Sequence, residues 1–482
     1  MLRQGLCKDQ VKRKAVGQDQ NHRHRQKTVR DMGVNRMSGD GWAECDMNNF
    51  SAAYANPPKS IPVATRAFTR LQRGVGAHDG VAFAGLFCGF VFFATSQFSF
   101  RLGIQPVLLL IIYGICVAYV VTRPNLLRPI WPILVLPVAA LILSVWSVDP
   151  ALSAYRSFQL IMTTLMGVVI AYLLPPYRAM ILICLCEMAI TSLSILNSVV
   201  TFLPPAYDRG EFIGVMTHKN HLAHAVIFSG AGALTLAFYW RVPLLGFALT
   251  AALFPVLAST ESAGGKVLYA LLLVLVSLFW LRRCPQTIRN RVVIGASLVA
   301  LCLIAGLMNV LSDLIPRMLD TLGKDSTLTG RTILWKFGVE HFWNRPLTGY
   351  GFQAFWSEPS YTREYLRAYV DPRTSIFHNG YIEIIVALGV IGGGLGILIF
   401  FGCVYRTILW YVRDATITSS YFAFCMLFMM IASFVEPLLF GVHSFNHILV
   451  VLAFCYAVCG RTGAGCAHPV LQPNASTERS LI

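Results

Sequence analysis

The chain is expected to be an all-α polytopic membrane protein with about 12 transmembrane helices. Three observations predict this. The 482 residues are 56% hydrophobic and 13% charged, with mean hydropathy +0.60, a balance that no soluble globular domain carries. Apolar residues gather in runs close to the ~20 residues that a bilayer core requires. Lys and Arg collect in alternate loops between those runs, as they do where positive charge holds one side of a membrane. The net charge of +16 lies largely in the N-terminal tail and in these loops, so nucleic-acid binding is not expected.

Residues 1–78 are polar and basic (Lys12-Arg13-Lys14, His22-Arg23-His24-Arg25), with no periodicity, h-region or cleavage site. They are not expected to be a signal peptide. They read as a disordered cytoplasmic tail, or as an over-called gene start with Met37 or Met47 the true beginning. The membrane domain is expected over residues 79–462, followed by a cytoplasmic tail at 463–482.

The expected spans run at about 81–100, 103–121, 129–147, 156–174, 179–203, 219–240, 243–259, 265–281, 292–312, 379–404, 416–440 and 443–460. With the N-terminus inside, the inner loops hold Arg123, Arg128, Arg178, Arg241, Arg282, Arg283, Arg289, Arg291, Arg406 and Arg413. The outer loops hold fewer: Arg101, Arg156, Arg209, Lys219 and Lys266. Both termini are therefore expected in the cytoplasm, and the polar stretch 313–378 becomes one large external loop between spans 9 and 10. Most cysteines lie within apolar runs (Cys88, Cys116, Cys184, Cys186, Cys302, Cys403, Cys425 and Cys455), where a thiol packs as a small hydrophobe. None lies in 313–378, so no disulfide or zinc site is expected there.

The external loop carries its own structural signals. Thr329 suits a helix cap, with a helix continuing through Arg331 and ending near Asn344 and Pro346. A glycine turn follows at Gly349-Tyr350-Gly351-Phe352. Ser357 and Pro359 introduce a short helix, Tyr361 to Val370, with Tyr361, Tyr365 and Tyr369 on one face. That stripe reads as packing before it reads as a sugar platform.

Candidate chemistry gathers at the edges of spans. His378, beside Asn379 and Gly380, carries an imidazole that suits a general base; taken alone, a His here is more readily a cap. Thr217-His218-Lys219-Asn220-His221 places a cation, imidazoles and an amide at a membrane entrance, which suits phosphate oxygens, though a Lys there also snorkels. Two His at i,i+3 without a carboxylate make a weak metal site, and no metal is expected. Of the loop arginines Arg331, Arg345, Arg363, Arg367 and Arg373, Arg331 and Arg373 stand at element boundaries, where a planar fork suits diphosphate. Ser259-Thr260-Glu261-Ser262-Ala263-Gly264-Gly265-Lys266 is either a plain turn or a way to bring Lys266 to an external cleft. There is no Walker A motif, no G-x-G-x-x-G and no D-x-D in the loop, so neither an ATP-driven pump nor a cofactor is expected.

Five short motifs in order then carry a resemblance: Trp146-Ser147-Val148-Asp149-Pro150 with Arg156; Gly214…Thr217-His218-Lys219-Asn220; Gly330-Arg331-Thr332…Trp335; Arg345-Pro346-Leu347-Thr348-Gly349-Tyr350-Gly351-Phe352; and His378-Asn379-Gly380-Tyr381…Leu388-Gly389-Val390-Ile391-Gly392. Over roughly residues 80–460 the chain resembles the O-antigen ligase/polymerase-like membrane family, and within it the rhizobial exopolysaccharide polymerases. The resemblance implies a GT-C-like glycosyltransferase of the bacterial inner membrane. Such an enzyme takes glycan from an undecaprenyl-diphosphate carrier and joins it to an acceptor hydroxyl on the outer face. It implies His378 as base and Lys219 and Arg331 around the diphosphate; from their own positions Lys266 and Arg373 join the diphosphate candidates, with Asn220, His218 and Asn379 in support. The chain departs from the family at the Ser-rich turn, where Glu261 stands in place of a basic residue and Lys266 follows about a turn later. Implied partners are the lipid-linked glycan, membrane lipid, a chain-length regulator and a flippase. A ligase acting on lipid A core is the neighbouring alternative, and a glycan transporter the alternative of another class. A transporter keeps its charges at mid-membrane, however, and these gather at the edge.

Overall fold

A computed structural model of the protein describes residues 105–200, 203, 206–208, 210–239, 242–281, 331–357, 364 and 375–459. The expected spans 81–100 and 292–312, both tails, Thr329, Arg373 and nearly all of the helix at 361–370 lie outside the described residues. The described chain is helical apart from one antiparallel hairpin, β1 (Tyr207–Asp208) with β2 (Glu211–Phe212). Its helices are α1 (Gln105–Thr122), α2 (Trp131–Leu143), α3 (Pro150–Leu173), α4 (Pro176–Val200), α5 (Lys219–Tyr239) and α6 (Pro243–Ser259). They continue with α7 (Ala263–Leu281), α8 (Arg331–Asn344), α9 (Gly380–Gly389), α10 (Leu395–Arg413), α11 (Ile417–Ala432) and α12 (Phe445–Cys459). By length and composition, three described stretches suffice to cross a membrane: α3, α4 and the joined run Gly380–Arg413; shorter apolar helices surround them.

Local chemistry sets the helix ends. Asp149 caps α3, its Oδ1 accepting from the Leu152 amide at 3.0 Å, and Pro150 at the first helical position wastes no backbone donor. Asp149→Ala is expected to cost about 1 kcal/mol, seen as a lower unfolding midpoint of the detergent-solubilised protein. Thr416 and Ser419 form a reciprocal capping box at the start of α11. Asn379 caps α9, its Oδ1 accepting from the Tyr381 and Ile382 amides at 3.0 and 3.1 Å.

Helix α3 forms the centre of one packing group, with α1, α2 and α12 against it. Gly167 lets α12 come close, since a Cβ there would lie 2.8 Å from Val451 Cγ1. Helices α4, α5 and α6 pack in sequence, and α7 and α11 lie against α5. A smaller aromatic cluster, Phe337, Tyr350, Phe355 and Phe377 with Leu334 and Val386, seats α8 on α9.

Two expected spans come out differently. The span expected over 379–404 is interrupted by a wide turn, Val390–Gly394, between α9 and α10. The cause is the loop after α8. Its Tyr350 and Gly351 amides donate to the Val386 and Ala387 carbonyls at 3.0 and 2.7 Å, while Pro346 and Leu347 carbonyls accept from Val390 and Ile391 at 2.8 and 3.2 Å. Non-helical backbone within an apolar run is tolerated where protein satisfies it. The same loop is tied to the start of α3, for Tyr350 O accepts from the Val148 amide and from Ser147 Oγ, both at 3.0 Å. The span expected over 416–440 also stops early, at Ala432. Pro437 cannot continue a helix, and Glu436 is drawn into the polar contacts that follow.

Candidate functional site

The loop Ser433–Ser444, between α11 and α12, is strapped to the start of α9. Gly380 N donates to Ser433 O at 2.7 Å, and Asn379 Nδ2 donates to Phe434 O at 3.0 Å. These two bonds hold Glu436 opposite His378. Glu436 is buried, 4% exposed, a burial that an ionised carboxylate tolerates only with partners.

Its partners come from separate parts of the chain. Glu436 Oε1 accepts from Arg331 Nη2 at 2.9 Å and from Asn220 Nδ2 at 3.2 Å. Arg331, the first residue of α8, also donates through Nη1 to Val435 O. Asn220 Oδ1 in turn accepts from Ser262 Oγ at 2.8 Å, and that hydroxyl accepts from Gly265 N at 3.1 Å at the start of α7. Glu436 Oε2 lies 3.7 Å from His378 Nδ1. Burial alone would raise the Glu436 carboxyl, but its neighbours His378 and Arg331 outweigh this and hold it below the usual carboxylate range. The carboxylate is thus ionised at neutral pH.

His378 itself is held in the left-handed backbone region, φ 50°. A non-glycine residue there is uncommon and marks a turn whose surroundings over-determine it. The constraints are visible on both sides. Upstream, Phe377 N donates to Glu383 Oε2 at 2.9 Å and Phe377 O accepts from Trp335 Nε1 at 3.0 Å. Downstream, Asn379 caps α9.

The structure therefore gathers His378, Arg331, Asn220 and Asn379 around one loop. His218 stands at the entry to α5, its Nδ1 accepting from the Asn220 amide at 3.2 Å. Lys219 is paired with Glu211 of the β1–β2 hairpin, with their side chains 22% and 32% exposed. Lys266 is exposed on the first turn of α7, and Glu261 just before it has φ 53°. Arg345 lies over the Tyr350 ring, 5.2 Å from its centroid. Among the described residues no group of His, Cys, Asp and Glu is arranged to hold a metal ion.

Glu436 and Ser262 were absent from the sequence-based candidates. The signal for Glu436 was a lone carboxylate followed by proline inside an apolar stretch, since an ionisable residue in such a run is a functional suspect. Ser262 carried no signal beyond its place in a polar turn.

Residues 246–397 match the O-antigen ligase family. The matched stretch includes Ser262, Arg331, His378 and Asn379, while Asn220 and Glu436 lie on either side of it. The chain is also 45% identical over 78 residues to the exopolysaccharide production protein ExoQ of Rhizobium meliloti (strain 1021). That alignment covers 16% of this chain and 18% of ExoQ, so the chain spans less than a fifth of that relative. With the apolar helices, the family match marks a bacterial membrane protein.

Proposed function

We propose that the protein is a glycosyltransferase of the bacterial inner membrane that extends an exopolysaccharide from undecaprenyl-diphosphate-linked repeat units. The observation that carries this is the convergence of Arg331, Asn220 and His378, each at the start of a helix, on Glu436. A glycosyl diphosphate brings its own leaving group. The protein must then supply positive charge where diphosphate charge develops, and a base within reach of the acceptor hydroxyl. Arg331 provides the first and His378 the second. Asn220 and Ser262 offer neutral polar contacts beside them. Lys219, Lys266 and Arg373 are assigned to the outer approach of the diphosphate, with His218 and Asn379 holding the local backbone. No cofactor enters this scheme. The substrate glycan comes from the outer face, and the excess of arginine in alternate loops supports residues 313–378 lying there.

The family match favours a second assignment within the same chemistry, transfer of a finished glycan to an acceptor such as lipid A core. ExoQ, named for exopolysaccharide production, supports the polymerase. Single repeats accumulating in a deletion strain support polymerisation, whereas long unattached chains support ligation.

Arg331→Lys tests the diphosphate role. It keeps the charge but loses the two-pronged hold that Arg331 makes on Val435 and Glu436. Loss of one charge-assisted hydrogen bond is worth about 1.5–3 kcal/mol, so polymer formed per unit of membrane protein should fall about 10–100-fold. Unchanged polymer in cells carrying Arg331→Lys and Arg331→Ala would remove Arg331 from the site.

A further inference from the structure

A histidine serves as a base only if the nitrogen facing the substrate is bare, which requires its other nitrogen to be held in the protonated form. The structure supplies a holder for one nitrogen of His378. Its Nδ1 is buried and, among the described residues, has no hydrogen-bond partner. The nearest acceptor is Glu436 Oε2 at 3.7 Å, in a carboxylate whose other oxygen is already taken by Arg331 and Asn220. Two bonds, Gly380 N to Ser433 O and Asn379 Nδ2 to Phe434 O, keep the two residues facing each other. A small rotation of the imidazole closes the gap, and catalytic contacts are commonly long before substrate arrives.

We propose that Glu436 is the positioning residue for His378, its Oε2 taking the Nδ1 proton so that a bare Nε2 faces the acceptor hydroxyl. The proposal rests on the assignment of His378 as base. In the transfer step the acceptor oxygen forms its bond to the anomeric carbon, and its proton passes to His378 Nε2. The anomeric carbon–phosphate oxygen bond breaks, and its electron pair leaves with the diphosphate. Glu436 then faces an imidazolium, and Arg331 faces the departing anion. The same carboxylate thus ties the base to the cation that receives the leaving group. Other titratable groups around the pair are His221 and His224 near the start of α5, with His218 beside them, and Glu383 on α9, whose Oε2 takes the Phe377 amide. None of these is paired with His378 Nδ1.

Glu436→Gln separates positioning from scaffolding. The amide oxygen still accepts from Arg331 and Asn220, but its NH2 faces Nδ1 and donates to it, which places the ring proton on Nε2. Replacing an orienting carboxylate by its amide in a histidine-based site lowers turnover on the order of 10²–10⁴-fold. The test uses full-length protein reconstituted in lipid vesicles with undecaprenyl-diphosphate-linked repeat units extracted from the source cells. The expected result is a turnover loss on the order of 10²-fold or more for Glu436→Gln, with KM little changed. Glu436→Asp, which keeps the charge, should retain more turnover than Glu436→Gln. In a His378→Asn background Glu436→Gln should cost nothing further, since the two act as one unit. Nitrogen-15 spectra of histidine-labelled protein, with His378 assigned from His378→Asn, should report an Nδ1-protonated ring in the native protein and an Nε2-protonated ring in Glu436→Gln. An Nε2-protonated ring in the native protein, undiminished turnover in Glu436→Gln, or equal losses in both backgrounds would overturn the proposal. Full activity in His378→Asn would instead overturn the base assignment, which the tautomer of the native ring does not depend on.

Discussion

His378→Asn is expected to abolish glycan chain growth while leaving the protein in the membrane at its normal level. The choice of Asn follows from the backbone. His378 has φ 50°, a conformation that Asn tolerates better than other non-glycine residues, so the substitution removes the imidazole without straining the turn. Asn379 should still cap α9, and Phe377 should still donate to Glu383. A positioned general base contributes about 10²–10⁴-fold to rate, and polymer measured beside an immunoblot of the membrane fraction should fall by that much. Normal polymer from normal protein would remove His378 from the chemistry.

Gly389→Ala is expected to act on folding and to deplete the protein from the membrane. Gly389 has φ 61° and ψ −165°, a region open almost only to glycine. A Cβ there would lie 2.2 Å from Leu347 O and 2.7 Å from Thr348 N. Both are backbone atoms of the loop that interrupts the α9–α10 run, so no side chain can swing aside. A cost of more than about 4 kcal/mol is expected, in the exceptional range for single substitutions. Gly402→Ala provides the control, because a Cβ at Gly402 meets nothing within 4 Å and Ala favours a helix interior. Membrane protein level and the unfolding midpoint in detergent check both. Equal accumulation of the two variants would contradict the account of the helix break.

Much of the helical order was legible because a bilayer imposes one strong length rule on apolar runs. The expected spans that fall on described residues each meet a helix, as at 219–240 and α5. What the rule could not see was backbone bonding between distant segments. Ser147 and Tyr350 are bonded 203 positions apart, and the loop so held bonds Val386, Ala387, Val390 and Ile391, which decides where α9 stops. Hydropathy at Gly380–Arg413 gives no hint of the interruption, because glycines in an apolar run read as packing. The motifs Trp146–Pro150 and Gly349–Phe352, met first as marks of a family, turn out to hold each other and α9 in place.

The site was legible in part for a related reason. His378, Arg331 and Asn220 stood out as polar residues at element boundaries, and the fold brings them together. Lys219 stood out on the same grounds, yet it pairs with Glu211, eight residues away on a hairpin too short to leave a strand pattern. Glu436 was passed over because it sat inside a run counted as membrane span. Its importance comes from three partners distant in sequence, which no local pattern records.

The most direct measurement of the central claim is glycan growth by purified protein in lipid vesicles supplied with undecaprenyl-diphosphate-linked repeat units. Wild-type protein should produce a ladder of lipid-linked chains and release undecaprenyl diphosphate in proportion to the linkages formed. His378→Asn, at equal protein, should leave single repeats only. A ladder of equal length and rate from His378→Asn would contradict the account.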